Sequence, residues 1–343
     1  QRCIELAALG HGQVSPNPMV GCVIVHKDTV IGEGYHQKYG ESHAEVNAIR
    51  SVFTQFGNEA PALLRDATAY VTLEPCAHFG KTPPCADLLV RHQLKAVVIG
   101  NHDPFAAVNG KGIAKLEDAG ISVKIGVLEK ACAHLNRRFF TRVQQQRPFI
   151  ILKWAQTADG FFAPADQSQR WITGAEAKAL SHQWRSQEDA VLIGKNTALV
   201  DNPALTNRLV AGKSPIRLVV DKHLSVPVSH KVYNNEAKTI IFNEEKTAVN
   251  GNIHFIQIED MHFYLAQKIA FQLYLMDIQS VIIEGGINLL DQFVKANLWD
   301  EARIFTSTTT WGNGRLSPII KGVVVENIVV GSDTLHILSN SNL

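Results

Sequence analysis

The chain contains one histidine and two cysteines at a spacing that can form an open metal site. His43 lies two residues before Glu45, and Cys76 and Cys85 follow Glu45 by 31 and 40 residues. One imidazole and two thiolates suit Zn²⁺, and three protein ligands leave the fourth tetrahedral position for water. The spacing therefore predicts one zinc ion per chain, in a site of the catalytic type.

A carboxylate close to that zinc indicates hydrolytic chemistry. A catalytic zinc lowers the pKa of its bound water from about 15.7 to about 7, and Glu45 is placed to shuttle the proton as the catalytic residue. Zinc deaminases carry the signature H-x-E followed by P-C-x-x-C. Here Pro75-Cys76 matches, but the eight residues 77–84 separate the cysteines instead of two. We therefore predict a hydrolytic deaminase whose 77–84 loop is specific to its substrate.

Other interpretations of the same residues stay open. Cys76 and Cys85 could be small buried hydrophobic residues, or His78 could close a structural zinc site as a fourth ligand. A non-catalytic, metal-stabilised binding module would have no use for Glu45, so that carboxylate distinguishes it from an enzyme. A deaminase of another pyrimidine or nucleic-acid base, fused to a degenerate reductase-like domain, is a further alternative.

The composition is that of a globular protein with two domains. The 343 residues are 45% hydrophobic and 19% charged, which is enough chain for two cores of ordinary size. Lys and Arg number 33 against 32 Asp and Glu, a formal net charge of +1. Because no excess of positive charge favours a polyanion, we expect no nucleic-acid partner.

Cysteine usage and hydropathy indicate the compartment. Five cysteines at irregular spacing are not a disulfide framework, so we expect a cytoplasmic protein. No apolar run reaches the roughly 18 residues needed to cross a bilayer and no signal peptide opens the chain, so we expect no membrane partner. Closed symmetric assembly is common, and we expect a homo-oligomer, a dimer or a tetramer. The chain lacks an initiator methionine and starts within a helical pattern, so a few residues of the first helix are expected to be missing.

Hydrophobic periodicity predicts alternating strands and helices in the first half. A hairpin with its turn at Lys27-Asp28 joins two short β-branched runs, and helical spacing begins at His43. The predicted helices are 2–10, 43–56, 85–92 and 113–119, and the predicted strands are 20–25, 30–34, 69–73, 96–100 and 123–127. This order implies a layered α/β domain with the metal ligands at loop ends.

The pattern becomes polar at residues 138–148, and we place the domain boundary there, between domains 1–146 and 147–343. The predicted strands of the second domain are 149–154, 190–193, 216–220, 239–242, 280–284 and 302–305, and its helices are 174–187, 261–276 and 287–296. No G-x-G-x-x-G motif opens a βαβ unit, so a Rossmann cofactor site is not expected. Gly285-Gly286, between a buried strand and a helix, could instead admit a phosphate to the helix N-terminus, or could simply form a turn.

The order of several motifs closely resembles the bacterial bifunctional deaminase/reductase family of riboflavin biosynthesis. The first 147 residues carry N-P at 17–18, V-G-C-V at 20–23, H-A-E at 43–45, P-C at 75–76 and T-P-P-C at 82–85. The remainder carries Lys153, D-G at 159–160, W-I-T at 171–173, D-N-P-A-L-T at 201–206 and E-G-G at 284–286. The resemblance covers nearly the whole chain.

This resemblance implies an α/β fold in both halves: an N-terminal cytidine-deaminase-like layered domain, then a C-terminal dihydrofolate-reductase-like domain. It implies a small-molecule pyrimidine ribosyl phosphate as substrate, 2,5-diamino-6-ribosylamino-4(3H)-pyrimidinone 5′-phosphate. The 2-amino group would leave as ammonia, with Glu45 moving the proton to the departing amine. NADPH would then reduce the ribosyl side chain to give 5-amino-6-(5-phosphoribitylamino)uracil, so the implied cofactors are zinc and NADPH.

The family's functional positions map onto matching residues of this chain. Its cofactor-binding positions correspond to Ala155, Trp171, Thr197, Asp201 and Gly286. Its substrate-binding positions correspond to Asn17, Arg185, Leu205, Arg208 and Glu284. Asn17 offers donors and an acceptor to a pyrimidine edge, and the two arginines could bind phosphate bidentately.

Simpler local roles are open for some of these residues. Asn17 could form an Asn-Pro turn, Thr197 and Asp201 could cap a helix or turn, and Trp171 could pack in the core. His36 and Lys81 are further candidates for the substrate or its phosphate, although solvation explains Lys81 equally well. Residues 105–107 replace the family's asparagine-containing turn, which puts a substrate contact there in doubt, and we assign no cofactor contact to 225–227.

Overall fold

The structure is a computed structural model that describes residues 1–79, 83–106, 108–166 and 168–340. The chain divides into two compact units, Gln1–Gln146 and Arg147–Leu343. Each unit has its own sheet and its own hydrophobic core. In the described ranges, no helix is both long enough and apolar enough to cross a bilayer.

The first unit is built on a five-stranded mixed sheet. Its strands are β1 (Gly21–His26), β2 (Thr29–Tyr35), β3 (Thr68–Leu73), β4 (Ala96–Asn101) and β5 (Ser122–Ile125). Its helices are α1 (Arg2–Ala8), α2 (Ala44–Phe56), α3 (Ala60–Arg65), α4 (Cys85–Arg91), α5 (Lys111–Asp118), α6 (Glu129–Leu135) and α7 (Arg137–Gln145). The strand order is β2-β1-β3-β4-β5; β1 is antiparallel to β2 and β3, and β3, β4 and β5 are parallel. The predicted hairpin is confirmed, with Lys27 and Asp28 at φ 47° and 64°.

Close packing of α2 on the sheet fixes the position of the predicted metal ligand. Ala48 and Val52 of α2 are fully buried in the core of this unit, together with Ile24 of β1. A Cβ on Gly34 of β2 would lie 2.3 Å from the backbone nitrogen of Ala48, so only glycine permits this approach. The N-terminus of α2, which carries His43, is therefore held against the end of the sheet.

Three helices of this unit, α3, α6 and α7, were not predicted from the hydrophobic periodicity. The polar stretch at the predicted boundary is helical, and α7 buries Arg138, Phe139 and Thr141. Helices α3 and α6 have six and seven residues. Fewer than two turns give periodicity too little length to be recognised.

The second unit is built on a ten-stranded sheet. Its strands are β6 (Phe149–Gln156), β7 (Phe161–Ala163), β8 (Ala190–Gly194), β9 (Ile216–Val220), β10 (Thr239–Asn243), β11 (Ala248–Asn250), β12 (Ile253–Gln257), β13 (Ser280–Gly285), β14 (Glu301–Thr306), β15 (Arg315–Leu316), β16 (Val323–Val330) and β17 (Asp333–Ser339). Its helices are α8 (Ala175–Gln187), α9 (Lys195–Asp201), α10 (Leu265–Leu275) and α11 (Ile287–Lys295). The sheet order is β11-β12-β10-β9-β8-β13-β6-β14-β17-β16, and β7 pairs separately with β15.

The seven neighbouring strands of the sheet β12-β10-β9-β8-β13-β6-β14 run parallel to one another. At the two edges, β11 is antiparallel to β12, and β17 is antiparallel to both β14 and β16. All six strands and three helices predicted for this half are present. Their apolar runs are continuous because both faces of the central strands are buried, as in β13. Parallel strands bring their carboxyl ends to one edge, where open α/β sheets bind ligands.

Candidate active sites

Three side chains from separate elements converge in the first unit at the predicted metal site. His43 is the residue before α2, Cys76 follows β3, and Cys85 is the first residue of α4. The Nδ1 atom of His43 lies 3.6 Å from the Sγ atom of Cys76 and 3.3 Å from the Sγ atom of Cys85. All three ligand atoms lie within 4.8 Å of one another.

The chemistry of this cluster fits a zinc ion. A hydrogen bond with Cys85, helped by one with His43, outweighs burial and lowers the pKa of the Cys76 thiol to about 4. The backbone N–H of Cys85 also donates to the Cys76 sulfur at 3.3 Å. The site therefore provides a thiolate, a second sulfur and an imidazole, the ligands that zinc prefers. His43, Cys76 and Cys85 would hold the ion and leave one position open.

Glu45 lies beside these ligands in the first turn of α2 and is 4% exposed. Burial raises the pKa of its carboxyl, and the negative charge of Cys76 raises it further. An acid–base catalyst must accept a proton and return it, and a raised pKa makes a carboxylate a better proton acceptor. Among the described residues, the group that could hold a metal contains only the three predicted ligands and not His78.

Asn17 and His36 form a hydrogen-bonded pair next to the metal ligands. The Nδ2 atom of Asn17 lies 3.1 Å from Nε2 of His36, and Nδ1 of His36 lies 3.1 Å from the carbonyl oxygen of Ser42. Burial lowers the pKa of His36, which favours the neutral ring. Its Nδ1–H then donates to the carbonyl and its Nε2 accepts from Asn17. The ring is 5.4 Å from that of His43, and the Asn17 carbonyl stays available to a ligand.

A buried carboxylate that the sequence analysis did not single out organises the next loop. Glu74 accepts the backbone N–H groups of Asp103 at 3.3 Å, Gly110 at 3.0 Å and Gly112 at 3.0 Å. These donors lie after β4 and at the start of α5, where helical N–H groups need acceptors. Glu74 therefore ties this loop to the strand end that leads to Cys76. In the sequence, the feature that could have indicated this role is a glutamate directly after an apolar strand.

Parts of two predicted loops lie outside the described residues. Lys81 falls in the range 80–82, and Ala107 interrupts the segment after Asp103. Asp103 itself is buried, and burial raises the pKa of its carboxyl to about 6. The ring of His78 lies 6.2 Å from that of Phe105.

The second unit contains a cavity of about 670 Å³ at the carboxyl ends of its parallel strands. Pockets of this volume are typical of small-molecule sites. Eight of the nine residues predicted for a reductase site line it: Ala155, Trp171, Arg185, Thr197, Asp201, Leu205, Glu284 and Gly286. Arg208 is not part of the lining. Neither are residues 225–227, to which no contact was assigned.

A buried ion pair lies at the centre of this cavity. Arg185 donates from Nε to Oε1 of Glu284 at 2.7 Å and from Nη2 to Oε2 at 2.5 Å. Burial alone would raise the pKa of Glu284, but Arg185 outweighs it and lowers the value to about 2. Lys153 lines the same cavity, and burial lowers the pKa of its amine. We expected the Arg185 guanidinium to bind the substrate phosphate, but its Nε and Nη2 atoms bind the carboxylate of Glu284 instead.

Arg208 is positioned by a neutral histidine. Its backbone N–H donates to Nδ1 of His182 at 3.0 Å, and its Nη1 donates to Oγ1 of Thr206 at 3.0 Å. Burial, followed by the charges of Arg185 and Arg208, lowers the pKa of His182 to about 4, so Nδ1 remains an acceptor. Among the described residues, no carboxylate pairs with the Arg208 guanidinium, in contrast to Arg185. An incoming anion can therefore use it.

Leu205 lines the cavity; the residue is 2% exposed and packs in an apolar cluster with Ile193 and Val219. Its φ of 55° is in the left-handed region, which leucine rarely adopts. Gly286 also has positive φ, at 81°, directly before α11. A Cβ there would meet Oγ1 of Thr197 at 3.6 Å, so Thr197 packs against the glycine turn.

Trp171 is exposed and Thr197 and Asp201 are half-buried, so none of the three lies in the core. Trp171 is 73% exposed, and the Lys178 amine lies 4.7 Å from its ring centroid. No side-chain capping bond is made at α9, which contains both Thr197 and Asp201. Burial raises the pKa of Asp201. These side chains are thus available to a ligand.

The cavity carries an excess of positive charge. Its cationic lining residues are Lys153, Arg170, Arg185, Lys195, Lys222 and Arg315, against the carboxylates Asp201 and Glu284. Such a surface concentrates anionic ligands. Together with the glycine turn before α11, it fits a cofactor that carries several phosphate groups. Lys195, Lys222 and Arg315 were not foreseen, because isolated basic residues have no motif.

Comparisons with known proteins agree with both sites. Residues 1–101 match the cytidine and deoxycytidylate deaminase zinc-binding region, and residues 148–335 match the RibD C-terminal domain. The riboflavin biosynthesis protein RibD of Aquifex aeolicus is 40% identical over 315 residues, which cover 91% of this chain and 86% of that protein. The chain belongs to the RibD family of riboflavin biosynthesis proteins.

Solved structures of the RibD family share the whole fold. A diaminohydroxyphosphoribosylaminopyrimidine deaminase/5-amino-6-(5-phosphoribosylamino)uracil reductase from Thermotoga maritima is 36% identical, with a TM-score of 0.89 over 99% of this chain and 97% of that one. Acinetobacter baumannii RibD is 32% identical, with the same TM-score and the same coverage of both chains. The expected cytidine-deaminase-like and dihydrofolate-reductase-like folds are confirmed. This RibD-family chain is a bifunctional riboflavin-pathway enzyme that acts on a small molecule as deaminase and reductase, with zinc and NADPH as cofactors.

Proposed function

We propose that residues 1–146 deaminate 2,5-diamino-6-ribosylamino-4(3H)-pyrimidinone 5′-phosphate and that residues 147–343 reduce the product. The observation that carries the first step is the convergence of His43, Cys76 and Cys85 within 4.8 Å, next to the buried Glu45. The second step is supported by the positively charged cavity at the strand ends of the second unit. The product would be 5-amino-6-(5-phosphoribitylamino)uracil.

In the deamination, zinc would supply an activated water. Glu45 would take up a proton as the water oxygen bonds to the carbon that bears the 2-amino group, and would deliver it to that amine, which leaves as ammonia. Asn17 holds the pyrimidine edge through its free carbonyl oxygen, because its amide nitrogen is engaged by His36. Burial supports the Glu45 role, since the raised pKa of its carboxyl makes the carboxylate a better proton acceptor.

In the reduction, NADPH would supply a hydride to the ribosyl carbon that bears the amine. Arg208 binds the substrate phosphate, while Arg185 holds Glu284 in place for the ribosyl hydroxyls. Lys153 is the buried cation of this site, and its lowered pKa suits delivery of a proton to the ring oxygen as the ribose opens. Ala155, Trp171, Thr197, Asp201 and Gly286 contact the cofactor, and Leu205 contacts the substrate through its backbone.

We also infer a cytoplasmic homo-oligomer, a dimer or a tetramer, with neither nucleic acid nor membrane as partner. All five cysteines are free thiols, as expected in a reducing compartment. The near-neutral net charge of +1 gives no general attraction to a polyanion. Homo-oligomers with closed symmetry are the common assembly of soluble enzymes.

A coupled assay tests both steps in one experiment. The zinc-loaded protein is given the diaminopyrimidinone ribosyl phosphate and NADPH, and ammonia and NADPH absorbance are followed together. We expect ammonia first and NADPH consumption after it. A chelator should abolish ammonia release but leave reduction of supplied deaminated product intact. Ammonia release without NADPH oxidation would refute the reductase assignment. If neither ammonia release nor NADPH oxidation occurs, the substrate assignment is refuted.

A further inference from the structure

A two-stranded ribbon, β7 paired with β15, borders the cavity of the second unit. Ala163 of β7 pairs with Arg315 of β15, and both residues line the cavity. Gly314, directly before β15, has a φ of 152°, and a Cβ there would lie 2.5 Å from the carbonyl oxygen of Ala163. Only glycine permits this close approach of the two strands. The ribbon therefore carries Arg315 to the cavity.

The Arg315 side chain reaches the first turn of α11. Its Nη2 atom donates to Oδ1 of Asn288, the second residue of that helix. The first backbone N–H groups of a helix have no acceptor within the helix, and no side-chain capping bond is made at Gly286. The guanidinium thus lies beside a helix end that no side chain caps.

Arg315 differs from the other two arginines that line the cavity. Arg185 is paired with Glu284. Arg170 is paired with Asp166 at 3.0 Å. Among the described residues, no carboxylate forms an ion pair with Arg315, which contacts only a neutral amide oxygen. Its charge is therefore available to an anionic ligand of the cavity.

Asp159, which precedes Gly160 in the D-G motif, holds the loop that leads into β15. Its carboxylate accepts the backbone N–H groups of Trp311 at 3.0 Å and of Gly312 at 2.8 Å. After the loop, the N–H of Ser317 donates to the carbonyl oxygen of Gly160 at 3.0 Å. Asp159 itself is not part of the cavity lining. Its role is therefore to fix the backbone on which the cavity arginine is mounted.

We infer that Arg315 binds the pyrophosphate of NADPH and that Asp159 is a positioning residue for Arg315. A pyrophosphate offers two adjacent anionic groups, which suit a guanidinium together with the N–H groups at the start of α11. Asp159 acts through the loop and stays away from the anion, which its own charge would repel. This inference rests on the proposed NADPH-dependent reduction by residues 147–343.

Calorimetric titration of the full chain with NADPH, without substrate, measures this contact directly. Arg315→Gln should weaken NADPH binding about tenfold, the lower end for a charge-assisted hydrogen bond, because the residue is exposed. NADH binding should weaken by the same factor, since both dinucleotides contain the pyrophosphate. Arg315→Lys should be intermediate, because an ammonium keeps the charge but not the planar fork.

The matched control is Lys321→Gln, which removes an exposed cation outside the cavity lining and should leave NADPH binding unchanged. Circular dichroism checks that each variant is folded. Asp159→Ala should weaken NADPH binding in the unchanged chain and add no further loss in the Arg315→Gln background, because both residues act through one contact. Equal losses in the two backgrounds would contradict the positioning role.

The remaining outcomes separate this inference from the proposed function. A loss for NADPH with no loss for NADH would assign Arg315 to the 2′-phosphate and overturn the pyrophosphate assignment. A change only in the KM of the phosphorylated reductase substrate would overturn it as well. Unchanged NADPH affinity in a folded Arg315→Gln variant would reject the Arg315 role alone. An unchanged chain that binds no NADPH would reject both this role and the proposed reduction.

Discussion

Arg185 and Glu284 form a two-point ion pair that joins the last turn of α8 to the end of β13, with bonds of 2.7 and 2.5 Å between residues 99 positions apart. Their side chains are 13% and 7% exposed. A guanidinium and a carboxylate buried together each compensate the desolvation of the other. The pair therefore fixes the charge distribution of the cavity before any ligand binds.

Replacing Glu284 with Gln should destabilise the second unit by about 3–5 kcal/mol at pH 7, because it leaves the Arg185 charge buried without its partner. All five tryptophans lie in residues 147–343, so fluorescence during urea unfolding reports on this unit. The matched control is Glu245→Gln, which removes an exposed pair with His223. Exposed pairs contribute about 0–1 kcal/mol, so a control effect equal to that of Glu284→Gln would contradict the prediction.

The Glu284 contribution should also depend on pH. Its pKa is lowered in the folded protein from 4.5 to about 2, so the stabilisation is present above pH 4.5 and is lost as the pH falls toward about 2. The stability difference between the unchanged chain and Glu284→Gln should therefore shrink across that range. Repeating the urea titration at pH 7, 4 and 3 measures it. A constant difference at all three values would show that the ion pair is not its source.

Arg208→Ala should weaken binding of the phosphorylated reductase substrate by about 10- to 100-fold, because a charge-assisted hydrogen bond contributes about 1.5–3 kcal/mol. The effect should appear in KM more than in kcat. The dephosphorylated substrate is the control, and its KM should be nearly the same for both proteins. Equal losses with both substrates would assign Arg208 to something other than the phosphate.

Glu45→Gln should lower the deamination rate by about 10²- to 10⁴-fold, the usual contribution of a general acid–base group. Metal analysis should still find one zinc per chain, since Glu45 is not among the three converging ligands. Reduction of supplied deaminated substrate should be unchanged. Glu41→Gln, on the exposed loop before α2, is the control and should keep full activity. Loss of zinc together with activity would argue for a structural role instead.

Glu74→Ala should loosen the segment between Asp103 and Ile113, because the backbone N–H groups of Asp103, Gly110, Gly112 and Ile113 would lose their acceptor. Hydrogen exchange at the Gly110 and Gly112 amides should become about 5- to 150-fold faster, since each lost bond is worth about 1–3 kcal/mol. Glu74→Gln should be intermediate, as an amide keeps one acceptor oxygen. Unchanged exchange in a folded, zinc-loaded variant would show that the loop is held by other contacts.

Much of the first site could be predicted from sequence because its signals are local. The H-x-E spacing places Glu45 in the first turn of α2, next but one to His43, which precedes the helix, and Pro75-Cys76 follows strand β3. The hairpin at Lys27-Asp28 and the central strands of the second unit were likewise predictable. Alternating polar and apolar residues, and continuous apolar runs, can be read from the sequence because they reflect which faces of a strand or helix are buried. Short helices such as α3 lacked the length for such a signal.

The sequence by itself therefore determined which residues can bind a metal, transfer protons or form a strand. These properties depend only on residue type and on short spacings along the chain. The tertiary structure decided the partners. The Nε and Nη2 atoms of Arg185 bind Glu284. Arg208 lies outside the cavity lining, where its backbone N–H donates to His182. Leu205 packs in the core. The tertiary structure also brought Glu74 onto the start of α5. Such contacts join residues far apart in the chain and depend on packing and burial, which no local pattern records.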